Sequence, residues 1–540
     1  MKNIKKCIIP FSLAFLQWIL WIVLKVDSCF FVTDGINLVM IAERTLFLIF
    51  LIGLWYLGYY VISQVLQKKP VFIRGLFVFI AYFAISCIIL LIIWPGTWSC
   101  SDIGVLRDSR MWCLNSWQNF LSSIFQILFL QLFPCPGGVI LVQNLVISII
   151  VAYIVTNIEI TFFDKWISSS SPLNKVIRTI IEFIPFVLPP ILMYQFSGYR
   201  MGLYIYLELA LCTFFICSWK RKKKWTIFDI FGVIIVSAIV SVWRTEAFVY
   251  VPFVIFGIFV QKKSSISMVR KVTTSFLVVV SFACLFECQS FLLGNSNYNI
   301  VSTLSPCIEL VRVADKEEDI IELEKINNVI NIDVIYQNGD IAGGGAYHRG
   351  DVVKDTYTEK EYDEYISSLV KLSLKYPSTI IDERLNMFVD STGFRGTQNR
   401  NNVAQTAALY DNPEDEDAKM LISWDCILNY PIIKDVRSSV IRIFGCATND
   451  STEVFYPAYW YYNVIWNYII PLVLLLIFAV IWLIRKRFYL FLSVLPLITK
   501  EVAVIITQPS PWIMYHLSVY ILGYCVLVLQ ILYVYYKKIN

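Results

Sequence analysis

Histidine is nearly missing from this chain, with only His348 and His516 among 540 residues. None of the fourteen cysteines forms a CxxC pair, so the sequence offers no structural zinc site. A GxxxxGK[ST] phosphate loop is also lacking: the Gly-rich run GDIAGGGAYHRGD, 339–351, has no helix pattern after it and reads as a surface loop. The acidic run NPEDED, 412–417, does not match EF-hand spacing and reads as a solvated helix start. Charge itself is scarce, at 16% against 58% hydrophobic and 16% aromatic residues, which excludes an ordinary soluble protein. What charge there is divides unevenly. Residues 294–458 hold 27 acids against 15 bases, and the rest of the chain holds 13 acids and 30 bases. A nucleic-acid binder would gather its bases on one folded face, so that class is excluded too.

What the chain does have is apolar runs of bilayer length, about 20 residues each. They fall near 7–24, 46–66, 75–94, 138–155, 179–196, 202–218, 227–243, 247–260, 272–292, 464–484, 488–507 and 512–536. The N-terminal MKNIKK and its apolar run lack a small-residue cleavage site and read as a retained first span. With twelve spans, every strongly basic segment, including KRKKK at Lys220–Lys224, falls on one side, which the positive-inside rule makes cytoplasmic. The expected fold is mainly α: a polytopic transmembrane bundle of about twelve spans with both termini cytoplasmic. It divides into a membrane domain, 1–293, with a first long outer loop at 95–137. An extracytoplasmic soluble insert of α or α+β type follows at 294–458, then C-terminal membrane helices at 459–540. The crowded aromatics VFYPAYWYYNVIWNY at the end of the insert mark the outer interface.

Parity also decides the stretch WPGTWSCSDIGVLRDSRMWCLNSWQNFLSSIFQILFLQ, 94–131. A span from Trp117 to Phe133 would move every later basic segment outside. Asn115, Asn119, Ser122 and Gln126 recur at helical spacing and draw a polar stripe. The stretch is therefore expected to end in an interfacial helix on the outer leaflet, the alternative being a thirteenth span. Cys100 and Cys113 share this loop and are near enough in sequence to pair; most other cysteines sit in apolar runs as packing residues.

Ionisable groups in or at the lip of a membrane domain are costly, so each needs a reason. Parity places Asp102, Arg107, Asp108 and Arg110 in the first outer loop, Arg200 in the hairpin SGYRMG, and Arg244 with Glu246 in the hairpin WRTEAF. Lys500 and Glu501 fall in the outer half of the eleventh span and His516 at the outer end of the twelfth. Glu208 lies two turns below the outer end of the sixth, and Glu287 near that of the ninth. Acids and bases converging on one face suit transfer from a lipid-linked phosphate donor. Asp102, or less well Asp108, would serve as general base. Arg200, Arg244 with Glu246, Lys500 and His516 would bind the donor and balance the leaving phosphate. Structural alternatives stand beside these roles: Asp102 as a helix cap, Arg244 and Glu246 as a hairpin pair, Arg200 snorkelling and His516 packed at the interface, and Lys500 and Glu501 neutralising one another.

The motifs WPGTWSCSDIG (94–104), WQNFLSSIFQILFLQLFPCPGG (117–138), SGYRMGLYIYLEL (197–209) and VWRTEAF (242–248) resemble those of bacterial multi-pass proteins of surface-polysaccharide synthesis. The many-span domain with an acid early in an outer loop resembles the GT-C superfamily of membrane glycosyltransferases. The resemblance implies transfer of a sugar from a polyprenyl-phosphate donor to a glycan or lipid acceptor at the outer face of the cell membrane. Its catalytic acid would fall on Asp102. Ser101 stands where the family's acidic pair has a second acid, and the loop follows the third span instead of the first. No cofactor is assigned, a divalent cation is left open, and the partners expected are the bilayer, the donor and the acceptor. Rival expectations are a repeat-unit polymerase, for which Arg384, Arg395 and Arg400 would serve, and a flippase, to which the Pro-rich FIPFVLPPILM (183–193) points.

Overall fold

The computed structural model describes residues 2–32, 35–98, 100–116, 118–164, 172–262, 264–293, 298–339, 349–354, 356–392 and 464–539, with a few isolated positions at 346 and between 419 and 443. Most of the Gly-rich loop, His348, Arg395, Arg400, the NPEDED run, the Cys100 side chain and most of the aromatic run before Val464 lie outside the described residues. Two compact units form. One comprises Met1–Gly294, Val403–Lys500 and Leu517–Asn540; the other comprises Asn295–Asn402 with Glu501–His516.

Among its described residues the first unit is built of helices joined by loops. Its helices are α1 (Lys2–Val23), α2 (Leu38–Leu66), α3 (Pro70–Ile92), α4 (Cys100–Arg110), α5 (Phe120–Leu132), α6 (Pro136–Phe162), α7 (Pro172–Phe183), α8 (Pro189–Gln195), α9 (Met201–Arg221), α10 (Ile227–Trp243), α11 (Tyr250–Val260) and α12 (Met268–Leu293). Local chemistry sets the ends. Asn37 accepts from the Met40 N–H to start α2, proline opens α3 and α6, and Thr226 with Asp229 closes a capping box on α10. Lys222 ends α9 in a left-handed conformation inside the KRKKK run.

Each of the twelve apolar segments falls on a helix. Among the described residues seven helices are long and apolar enough to cross a membrane, and an eighth does so if a bent pair counts as one span. The remaining four segments form shorter apolar helices. Burial separates centre from rim: the apolar window of α9 is 83% buried and that of α6 67%, against 6% for α12. The rim leaves Ile73, Phe77, Ile80 and Ile88 of α3 and Phe276 of α12 uncovered, a surface suited to hydrocarbon and not to water.

The bent pair is Asn174–Phe186 with Pro189–Gln195, meeting at 74°. Prolines at 185, 189 and 190 remove the N–H groups that would continue the ladder. Neighbouring side chains satisfy the loosened backbone. Tyr82 donates to the Phe186 carbonyl at 3.1 Å, and the Gln143 amide donates to those of Gln195 and Ser197 at 2.9 and 3.0 Å. The Gln195 amide in turn accepts from Tyr82 and Tyr206 at 2.8 and 2.5 Å and donates to Asn144 at 2.6 Å. At the start of α3 a buried quartet balances its own charge: Arg74 contacts Glu159 at 2.9 Å and Glu182 at 2.8 Å, and Arg178 contacts Glu159 at 2.6 Å.

The second unit contains α13 (Tyr298–Val313), α14 (Ile320–Asn327), α15 (Ile332–Gln337), α16 (Glu359–Lys375) and α17 (Pro377–Ser391) around a core that includes Leu304, Ile308, Val311, Ile326, Tyr365 and Leu372. Among the described residues no strand forms, and a single bridge joins Ile330 to Val353. The last three helices of the chain are α18 (Ile469–Ile484), α19 (Phe488–Thr507) and α20 (Leu517–Ile539), with the turn between α19 and α20 clustering in the second unit.

A candidate site at a buried ionic centre

The site starts from two hairpins and the helix that joins them. In the hairpin before α9, Gly198 lies so close to the Trp98 ring that an added Cβ would come within 2.2 Å of it. The loop after α3 is stitched to the same hairpin: Thr97 donates through its N–H to the Phe196 carbonyl at 2.8 Å and through its hydroxyl to that of Met193 at 3.0 Å. Gly96 adopts a φ of 108° there, a conformation that disfavours side chains. Helix α5 then spans the two hairpins. Gln126 donates to the Gly198 carbonyl at 3.0 Å, Asn119 donates to that of Val242 at 3.0 Å, and the Trp243 indole donates to Ser122 at 3.0 Å.

These contacts bear on the expectation of an interfacial helix. At thirteen residues α5 is about 20 Å long, short of a bilayer core. Its polar stripe, however, turns inward to backbone carbonyls and an indole, and Phe120–Ser123 and Gln126–Gln131 are buried. A stripe at this spacing serves buried partners as well as it serves water.

Beyond the hairpins lies the ionic centre. Arg244 and Glu246 pair directly, and a second Arg244 nitrogen lies 3.1 Å from the Met201 sulfur. Lys500 donates to Glu208 at 2.6 Å and to Ser518 at 3.0 Å, with its ammonium 4.5 Å from the centre of the Tyr204 ring. Ser518 donates to the other Glu208 oxygen. Lys500, Glu208, Arg244 and Glu246 are all buried. A small apolar recess, lined by Cys212, Phe215, Tyr250, Phe253, Leu492 and Pro496 among others, begins one turn along α9 from Glu208.

The other expected site residues are placed as follows. Asp102 lies in the first turn of α4, where the helix dipole favours an acid, and is fully buried. Asp108 is half-buried and accepts from the Asn115 amide at 2.7 Å, while its carbonyl accepts from the N–H groups of Met111 and Cys113, so it organises the loop after α4. Arg200 is buried with a guanidinium nitrogen 3.5 Å from the Trp243 carbonyl. The expected mutual neutralisation of Lys500 and Glu501 is corrected. Successive helix residues point about 100° apart, so Lys500 turns to Glu208 within the first unit, and Glu501 lies 2.6 Å from His516 Nδ1 within the second. His516 Nε2 contacts Gln508 at 2.8 Å, and Arg384 donates to the Gln508 and Ile506 carbonyls at 2.8 and 3.1 Å. His516 thus closes the turn between α19 and α20. Cys113 is exposed, and its pairing with Cys100 lies outside the described side chains. Among the described residues no three His, Cys, Asp or Glu side chains gather as a metal site.

Glu208 and Ser518 are the members that sequence reasoning left out of the site. An acid deep in an apolar helix was the available signal for Glu208, since such a group calls for a cation. Helices and centre together define a helical membrane protein with a buried, charge-balanced polar core. Comparison with known protein families, curated proteins and solved structures finds no match.

Proposed function

We propose that this chain is an integral-membrane glycosyltransferase of the GT-C type, transferring a sugar from a polyprenyl-phosphate donor to a cell-envelope polysaccharide, lipid or protein at the outer face of the cell membrane. The observation that carries the reading is the buried centre where Arg244, Glu246, Lys500 and Glu208 gather in the apolar bundle. Such cations suit the phosphate of a donor, and the apolar side chains beside them suit contact with its lipid chain. Asp102 takes the role of general base. Its carboxylate accepts the proton of an acceptor hydroxyl, the hydroxyl oxygen bonds to the anomeric carbon, and the bond from that carbon to the phosphate oxygen breaks. The electron pair leaves with the phosphate, whose charge the cations balance. In this reading the twelve apolar helical segments are all spans, with both termini and KRKKK cytoplasmic.

The test uses proteoliposomes supplied with labelled polyprenyl-phosphate sugars. Asp102→Asn is expected to abolish transfer while leaving thermal unfolding unchanged; undiminished transfer removes Asp102 as the base. Cysteine labelling that reaches the KRKKK loop from outside would overturn the orientation. The 74° bent pair favours a second reading, a flippase, since broken helices recur in transporters. Movement of an intact lipid-linked oligosaccharide without bond exchange in the same proteoliposomes decides for it. A polymerase reading would draw on Arg384, which pairs with Glu383 and donates to two carbonyls, with Arg395 and Arg400 outside the described residues.

A further inference from the structure

Glu43 stands apart from the other buried glutamates of the first unit. Glu159, Glu182, Glu208 and Glu246 each lie against an arginine or lysine. Glu43 is 1% exposed, and its Oε2 atom is buried with no hydrogen-bond partner. It lies on the buried face of α2 formed by Met40, Glu43, Phe47 and Leu51, and α2 packs on α1, α3 and α5.

Among the described side chains no counter-charge is available from these elements. Helix α1 from Ile8 to Val23 and the whole of α5 carry no charged residue. The one charge of α3, Arg74, is held by Glu159 and Glu182. On α2 itself, Arg44 pairs with Asp27 at 2.5 Å and lies over the Trp112 ring. An ionised carboxylate here would have neither water nor a cation, whereas the neutral acid loses only a hydrogen bond.

We propose that Glu43 is a proton-binding site, a neutral carboxylic acid while α2 and α5 are packed together and a carboxylate once that contact opens to water. The site reaches the ionic centre through α5. At one end of α5 the Gln131 amide donates to the Glu43 carbonyl at 3.2 Å; further along it, Ser122 and Gln126 hold Trp243 and Gly198. Loss of the proton loosens the helix that ties the two hairpins together. This inference rests on burial and pairing alone and is independent of the sugar-transfer reading.

Infrared difference spectra of the full-length protein and Glu43→Gln in lipid nanodiscs test it. The wild type is expected to show a protonated-carboxyl C=O band at neutral pH that the variant lacks and that disappears on strong alkalinisation. A carboxylate band in its place at neutral pH overturns the proposal. Thermal unfolding gives a second measurement. The neutral amide should replace the neutral acid with no fall in midpoint, and a marked fall would mean that a charge at Glu43 is being used. Hydrophobic carbodiimide, which attacks protonated carboxyls in apolar surroundings, should modify Glu43 at neutral pH, and an unmodified Glu43 counts against the proposal.

Discussion

Replacing Lys500 by methionine keeps an unbranched chain in place and removes the cation that Glu208 faces at 2.6 Å. Two unit charges at that distance attract by about 6 kcal/mol at an effective dielectric of about 20. Desolvation offsets most of this in the intact protein, because Lys500 is 2% exposed and Glu208 0%. The single substitution escapes that offset, since it leaves a buried carboxylate without its partner, and the expected cost is about 3–5 kcal/mol. Changing both residues, to methionine and glutamine, removes both charges and should recover most of the loss. Denaturant unfolding in detergent, followed by tryptophan fluorescence, gives the four corners of the double-mutant cycle. A Lys500→Met variant within about 0.5 kcal/mol of wild type, the range of ordinary surface changes, would refute the pairing. So would a double variant as unstable as the two single losses added together.

The substitutions of Asp102 and Glu43 described above have their own outcomes. Gly523→Ala would bring a Cβ to 2.3 Å from the Pro471 carbonyl where α18 meets α20, so a loss of about 1–3 kcal/mol is expected in thermal unfolding; an unchanged midpoint would show that the two helices can part without cost. In the second unit Asp319 accepts from Lys375 at 2.7 Å and Tyr376 at 2.6 Å. Burial raises its carboxyl, but these donors outweigh that and leave it below its ordinary value. A carboxyl lowered in the folded state stabilises above its unfolded value and loses that contribution as pH falls through the folded value. Peptides from 298–392 should therefore lose hydrogen-exchange protection after acid equilibration, pulse-labelled at one fixed pH, and Asp319→Asn should flatten the dependence.

Apolar length and the placement of helices were open to reading in the sequence, because both are local: a run of hydrophobic residues near KRKKK or SGYRMG becomes helix whatever it meets. Partner choice was not local. Lys500 and Glu208 are 292 residues apart, and nothing in TKEVAV says which way the ammonium will turn. The stripe of Asn119, Ser122 and Gln126 was visible, but a polar face has the same period whether it meets water or the carbonyls of two hairpins. Arg244 and Glu246, two residues apart in a tight turn, were readable as a pair, since geometry leaves them little else. The partners of Arg384 were hidden for the opposite reason: its carbonyl acceptors come from a turn more than a hundred residues later.

The quartet at the start of α3 bears on how the chain is made. Arg74 is synthesised 85 residues before Glu159 and 108 before Glu182. While α3 enters the bilayer neither of these two acids has been made, and for the proposed topology its guanidinium counts as a bare positive charge. Only when α6 and α7 arrive does the same group become a neutral tie between three helices. On the topology proposed above, the residue orients the nascent segment first and fastens the finished bundle afterwards, so a charge-reversing change there is expected to disturb insertion before it disturbs stability.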